Sequence, residues 1–210
     1  MKRFLIIIIS VFLIPDSFSQ SVEKEKYTTV QIAMLMGSRQ MIVWTPNSFN
    51  TRFELQVSPS VTITKSRIIN EHWAAGAGAG YELFDYNLFP VFADIRYKLW
   101  NSELSPFFAL KSGYALTNFS KKHHDFLYLN FEPYFINNAE QRNYGGIMLQ
   151  PEMGVKVPLN ENTGLLFTVA YRYQRTKSTI TQTINKEYYD RWKLKENLFR
   201  LSFGVALMFR

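Results

Sequence analysis

The sequence predicts an all-β chain: eight antiparallel strands closed into an up-and-down transmembrane β-barrel. Two observations predict it directly. Apolar residues recur with period 2 from about residue 27 to the end, in segments of roughly ten to fifteen residues. The connections between these segments alternate between short and long, as they do when tight turns gather at one end of a barrel and long loops at the other.

The eight expected strands are 27–36, 52–67, 73–84, 89–100, 106–117, 147–158, 164–175 and 197–209. In the second, Phe53, Leu55, Val57, Val61 and Ile63 alternate with Glu54, Gln56, Ser58, Ser60, Thr62 and Thr64. In the fourth, Val91, Ala93, Ile95, Tyr97 and Leu99 are set against Asp94, Arg96 and Lys98; in the last, Phe199, Leu201, Phe203, Val205, Leu207 and Phe209 are set against Arg200, Ser202, Gly204 and Ala206. The connections 68–72, 101–105 and 159–163 are short and carry turn formers such as Asn70, Asn101, Asn160 and Asn162. Those at 37–51, 118–146 and 176–196 are long, and the one at 85–88 is brief. Within the long ones, 125–135 and 176–184 keep period 2, so these stretches should project past the membrane as hairpins.

Composition narrows the function classes. The chain has 210 residues, 47% apolar and 20% charged, which suits one folded unit and excludes a disordered chain. No cysteine is present, which excludes a disulfide framework, a thiolate metal site and a Cys nucleophile. The net charge of +7 suits an anionic lipid surface or a nucleic acid, but the basic residues are scattered among strands, so no nucleic-acid partner is expected. Lys2 and Arg3 precede an apolar run at 4–14, then Pro15, Ser17, Ser19 and Gln20. This order predicts a signal peptide over 1–19 and a barrel domain over 20–210, because the run is too short to span a membrane as a helix.

Which way the greasy face points is read from the other face. Glu54, Glu82, Asp94, Arg96, Lys98, Lys111, Glu152, Lys156, Arg172 and Arg200 all fall on the polar parity, in both signs. The aromatics form two groups: Tyr27, Trp73, Trp100, Phe107 and Phe209 near the short turns, and Phe53, Phe84, Phe89, Tyr171, Tyr173 and Phe199 near the long loops. Two aromatic belts around an aliphatic band are expected of a lipid-facing surface. The ten charges then lie inside. Eight strands leave a lumen that side chains can fill, so these charges should pair, with Asp94 and Glu152 bridging neighbouring cations.

The segments Phe89-Pro90-Val91-Phe92-Ala93-Asp94-Ile95-Arg96-Tyr97, Ser105-Pro106-Phe107-Phe108 with Gly113-Tyr114, and Pro151-Glu152-Met153-Gly154-Val155-Lys156 resemble the small outer-membrane β-barrel family of Gram-negative bacteria, porin-like or OmpA/OmpX-like. The resemblance implies an outer-membrane location after export, lipid and lipopolysaccharide as surroundings, delivery by the barrel assembly machinery, and a monomer. One departure stands out: such barrels usually end on an aromatic residue, whereas here Phe209 is followed by Arg210.

Three features could suggest chemistry. Gly76, Gly78 and Gly80 are spaced by two, with Tyr81 where a dinucleotide loop needs its third glycine; they are expected to face inward and make room for Arg96 and Lys98. His123 and His124 are adjacent, so in an extended chain they point to opposite sides, and no metal site is expected. His72 has no serine and acid placed to make a nucleophile–base pair. In the last long loop Lys177, Lys186, Arg191, Lys193 and Lys195 outnumber Glu187, Asp190 and Glu196, which suits contact with lipopolysaccharide phosphates. The expected function is therefore non-enzymatic, without cofactor: a structural or surface-interaction barrel with a filled lumen and a possible protein partner at its long loops. A small porin-like channel and an exported soluble barrel binding an apolar ligand are the alternatives.

Overall fold

The computed structural model describes residues 26–44, 49–84, 87–100, 104–117, 122–129, 132–185 and 188–210. The expected signal peptide lies outside them. Within strands, the side chains of 43–44, 49–50, 52, 122–129, 132–141, 180, 182–185 and 188–192 are also left undescribed.

Ten strand segments follow in order: β1 (Lys26–Trp44), β2 (Phe49–Ile68), β3 (Trp73–Glu82), β4 (Leu88–Lys98), β5 (Ser105–Thr117), β6 (Lys122–Leu129), β7 (Glu132–Tyr144), β8 (Gly146–Pro158), β9 (Thr163–Asn185) and β10 (Tyr188–Phe209). All pairings are antiparallel, and β10 pairs with both β9 and β1, which closes the sheet. β7 and β8 act as one barrel strand with a bulge. Both pair with β9, but Tyr144↔Lys177 and Met148↔Gln174 differ by one residue in register across Gly145. A side chain on the following Gly146 would run into the Arg175 carbonyl, so the close backbone approach there requires glycine. Eight strands therefore form the barrel, and β6 is the one extra strand, paired to β7.

Two of the tight turns are built alike. Ile69-Asn70-Glu71-His72-Trp73 and Leu159-Asn160-Glu161-Asn162-Thr163 each start with an apolar residue and Asn-Glu. Ile69 N–H donates to the Trp73 carbonyl at 2.8 Å, and Leu159 N–H to the Thr163 carbonyl at 2.9 Å. The Asn70 and Asn160 side-chain oxygens each accept from the backbone N–H two residues on, at 3.0 Å. An Asn at that place closes the turn through its own side chain.

The expected long loops at 37–51, 118–146 and 176–196 are largely ladder. β1 and β2 stay paired up to Trp44↔Phe49, and β9 and β10 up to Asn185↔Tyr188. β9 has 23 residues and β10 has 22, about twice the ~9–11 that a tilted strand needs to cross a bilayer. The upper halves are polar on both faces, as in Thr176-Lys177-Ser178-Thr179, so hydrophobic alternation fades there while the backbone pairing continues.

The outside is apolar and the inside polar. Ile32, Leu55, Ile63, Ile95, Leu110, Met153, Phe167, Val205 and Leu207 face outward, while Gln31, Thr62, Thr64, Glu82, Asp94, Lys111, Glu152, Arg172 and Arg200 are buried within. A soluble barrel has the opposite arrangement, so hydrocarbon is the solvent of this exterior. Trp73, Trp100 and Phe209 take their expected outer positions at one end, and Phe53, Phe89 and Tyr171 at the other. Tyr27, Phe107 and Phe84 are the exceptions: all three are buried, because their parity points them inside, where each stacks against a guanidinium. Position along the axis is not enough to place an aromatic in a belt; parity decides.

Ile95 and Val205 sit in the middle of the apolar band, so Ile95→Arg and Val205→Arg should each destabilise the barrel by about 2–4 kcal/mol in urea unfolding from lipid. A change under about 0.5 kcal/mol at both sites would mean that these positions do not face lipid.

Candidate functional site

Among the described residues, buried ionisable groups converge in the lumen. Nine charged residues are buried among the described residues: Arg39, Arg96, Lys111, Arg172 and Arg200 against Glu82, Asp94, Glu152 and Glu196. Burying so many charges in a narrow space is tolerable only if they pair, since an unpaired one costs several kcal/mol.

Glu82, at the end of β3, is the hub. Its carboxylate accepts from Arg172 Nη1 at 2.8 Å and from Arg200 Nη1, and from Ser58 Oγ at 3.3 Å. Arg200 also donates to Ser58 Oγ at 3.0 Å and to Gln174 Oε1 at 2.7 Å, so one guanidinium ties β10 to β2, β3 and β9. A fully buried carboxylate facing two arginines has its charge more than matched, and the fork of each guanidinium fixes its direction.

The network continues through glutamines. Arg172 Nε donates to Gln150 Oε1 at 2.5 Å, and Gln150 Nε2 donates to Glu152 at 3.0 Å. Glu152 forms an ion pair with Lys111 at 2.7 Å, and Lys111 donates also to Gln31 Oε1 at 2.7 Å. Gln31 Nε2 donates to Thr168 Oγ1 at 2.7 Å. An amide that accepts on one end and donates on the other can join two ion pairs without adding charge. Gln31, Gln150 and Gln174 are network residues that charge-based reading misses; their inward parity is the available signal.

Above this network Arg39 pairs with Glu196 at 2.6 Å, and Thr176 Oγ1 donates to the same carboxylate at 3.1 Å. Phe84 lies between the two ionic groups, with Arg39 5.4 Å and Arg200 5.5 Å from its ring centre. Leu88, Ala115 and Leu198 pack with Phe84 as a dry collar. At the short-turn end Tyr27, Phe107, Ala109, Leu166, Ala206 and Met208 form a second apolar plug, capped by the Arg96 guanidinium 4.6 Å above the Phe107 ring. Ionic layers thus alternate with apolar ones along the axis.

The ten sequence-predicted charges divide accordingly. Glu82, Asp94, Arg96, Lys111, Glu152, Arg172 and Arg200 are buried inside; Glu54, Lys98 and Lys156 are only half-buried. Neither expected carboxylate bridges two cations: Glu152 pairs with Lys111 and otherwise takes hydrogen bonds from glutamine amides, and Asp94 accepts none. Asp94 meets Arg96 at 3.5 Å, and neither of its oxygens accepts a hydrogen bond. The reason lies in its neighbours: Gly76, opposite it on β3, brings no donor, and Lys111, opposite it on β5, is held by Glu152 and Gln31. The bridging carboxylate is Glu82 instead.

The glycines also make room for something other than expected. A Cβ on Gly78 would lie 2.7 Å from the Phe92 ring, and one on Gly80 would meet Thr62 at 2.6 Å. Arg96 stands opposite Ala74, so the space serves Phe92, which the sequence reading left unassigned. Glu196, read as a loop acid, is buried in the ion pair with Arg39, whereas Lys177 and Lys193 remain exposed. His72 lies at the surface, its Nδ1 2.9 Å from the Lys98 carbonyl and its ring stacked on Tyr97. His123 and His124 lie in β6, where the side chains are outside the described set. Among the described residues no group of three His, Asp or Glu could hold a metal ion.

Glu82→Gln should cost about 3–5 kcal/mol of stability, read by urea unfolding in lipid, because it leaves two buried guanidiniums facing a neutral amide. Asp94→Asn should cost far less, under about 1 kcal/mol, since the carboxylate is poorly satisfied. Equal losses at the two sites would contradict the placement of the hub.

No protein-family model and no curated protein matches the chain. Solved structures do. The outer membrane protein OprG from Pseudomonas aeruginosa is similar with a TM-score of 0.60 at 12% identity, over 89% of this chain and 97% of that one. The outer membrane protein AlkL is similar with a TM-score of 0.49 at 13% identity, over 93% of this chain and 96% of that one. Neisserial surface protein A gives 0.43 at 15% identity, over 86% and 95%. The chain has the fold of the small eight-stranded outer-membrane β-barrels.

Proposed function

We propose that the chain is a non-enzymatic integral protein of the bacterial outer membrane, closed to solutes, that presents a raised β-sheet at the cell surface for contact with a protein partner or with lipopolysaccharide. The observation that carries this reading is the length of one half of the barrel. β3 and β4 have 10 and 11 residues and suffice only to cross. The upper parts of β2, β1, β10, β9, β7 and β6 continue as a six-stranded sheet beyond the apolar band.

Among the described residues that sheet ends in two open edges. β6 pairs with β7 alone, and the part of β2 before Ser60 has no partner in β3. Unpaired edges present a row of N–H and C=O groups that a partner strand can use. On the outer face of the β2 edge, Phe53 and Leu55 are 66% and 86% exposed, among the most open apolar side chains of the molecule. Lys177 and Lys193 add exposed positive charge to the same raised sheet, which suits lipid phosphates. Export by the expected signal peptide and folding by the barrel assembly machinery, as a monomer, belong to the same reading.

The filled lumen speaks against the porin-like alternative. Arg172, Arg200, Gln150, Gln174 and Phe84 are buried across the channel and hold one another in place. Purified protein in planar bilayers is expected to show no stable high-conductance channels; their appearance would replace this reading with the pore. Epitope tags inserted at residue 130 and at Lys186 should bind antibody on intact cells, and tags at Glu71 and Asn162 only after permeabilisation. The reverse pattern would put the raised sheet in the wrong compartment.

A further inference from the structure

The lipid-facing wall carries a groove of about 990 Å³ that crosses the strands. Its floor is one row of register partners, Phe107, Gly154, Thr168, Gly204 and Ala33, which runs from β5 through β8, β9 and β10 to β1. All five have inward parity, so only their backbone is left on the outside, and the two glycines are places where a sheet bends easily. Outward side chains on either side of the row form the walls: Phe108, Met153 and Phe203 above, and Val155, Phe167 and Val205 below, toward the short turns.

The row is oblique to the membrane. Counted from the short-turn end, Phe107 is the third residue of β5 and Ala33 the eighth of β1, and the groove reaches on to Pro59 of β2. Five steps between neighbouring strands, from β5 to β2, make roughly 24 Å at about 4.8 Å each. With strands tilted by about 40°, that length rises roughly 15 Å, half of the ~30 Å hydrocarbon core. The lower mouth lies at Leu99 and Pro106, where the Leu99 N–H donates to the Pro106 carbonyl at 3.0 Å. Trp100, exposed beside it, marks the level of the headgroups. The groove therefore starts at the surface of one leaflet and ends near the midplane.

We propose that this groove seats one acyl chain of an inner-leaflet phospholipid, whose headgroup lies beside Trp100. Its length and slope fit one chain of one leaflet. A strand from a partner would bring polar backbone into hydrocarbon, and the apolar walls hold nothing to satisfy it. The choice of leaflet rests on the reading above that the short turns face the periplasm; the seating of a chain does not.

The test uses the full chain refolded in uncharged detergent and incubated with dioleoyl phosphatidylethanolamine or with lipid A. Native mass spectrometry counts the lipids retained as detergent is increased. Saturable retention of one phosphatidylethanolamine is expected, with chain-methylene NOEs to the Met34 and Met153 methyls stronger than those to Met36, which faces outward beyond the groove. Val155→Trp combined with Val205→Trp fills the lower wall and should weaken retention about tenfold or more, whereas Ile95→Trp, in the same band on β4, should leave it unchanged. Each variant keeps an apolar side chain toward lipid, and heat-modifiable migration shows that its barrel is closed. Tighter retention of lipid A would overturn the assignment to a phospholipid; reversed epitope labelling, measured separately, would overturn the sidedness instead. No saturable retention, equal losses in the filled pair and in Ile95→Trp, or a dimer mass in place of the lipid would overturn the groove itself.

Discussion

A strand placed in hydrocarbon has no water to satisfy its backbone, and every other feature of this molecule depends on that constraint. Each N–H and C=O in the band must find a partner in a neighbouring strand, so the sheet must close, and β10 pairs with β1 over 17 register positions from Thr28↔Phe209 to Trp44↔Lys193. Closure separates two environments. The outer parity meets lipid and is apolar; the inner parity is shielded from it and takes the polar and charged residues. The same backbone thus carries two opposite chemistries, one on each side of the wall.

The closed wall then creates the second problem, which is how to fill a tube of eight strands without leaving charge unmatched. The two halves of the wall solve it by unequal size. β2 and β3 bring small inner residues, among them Ser58, Ser60, Thr62, Thr64, Gly76, Gly78 and Gly80. β5, β8, β9 and β10 bring long ones, among them Lys111, Gln150, Glu152, Arg172, Gln174 and Arg200. The long side chains reach across the axis, as Arg200 does to Ser58 on the small wall and Lys111 to Gln31 on β1. Complementary volume across the lumen is what lets these side chains interdigitate.

Much of this could be read in the sequence because period 2 is an arithmetic property of a strand. The outward places of Ile95, Val205 and Leu207, and the inward places of seven of the ten charges, follow from counting residues. What parity cannot supply is distance across the lumen. It places Asp94 and Glu82 on the same inner surface, and only the three-dimensional register shows that Glu82 meets two arginines while Asp94 faces a glycine. Tyr27, Phe84 and Phe107 were read by their position along the axis, when their parity already put them inside. Above the lipid the physical signal itself weakens, because water accepts both faces of a strand. The ladders of 37–44, 176–185 and 188–196 therefore read as loops in hydrophobicity while they continue as strands in hydrogen bonding.

The central claim is that the polar network of the lumen is organised by Glu82 and its two arginines. A double-mutant cycle on Glu82 and Arg200 tests it most directly, with Glu82→Gln, Arg200→Gln and the double variant unfolded reversibly in the same lipid. Because each single variant leaves its partner charge buried, the account predicts a coupling energy of about 2 kcal/mol or more, with the double variant more stable than the sum of the single losses implies. Additive losses, with a coupling within about 0.5 kcal/mol of zero, would mean that the two groups do not depend on each other and would contradict the account.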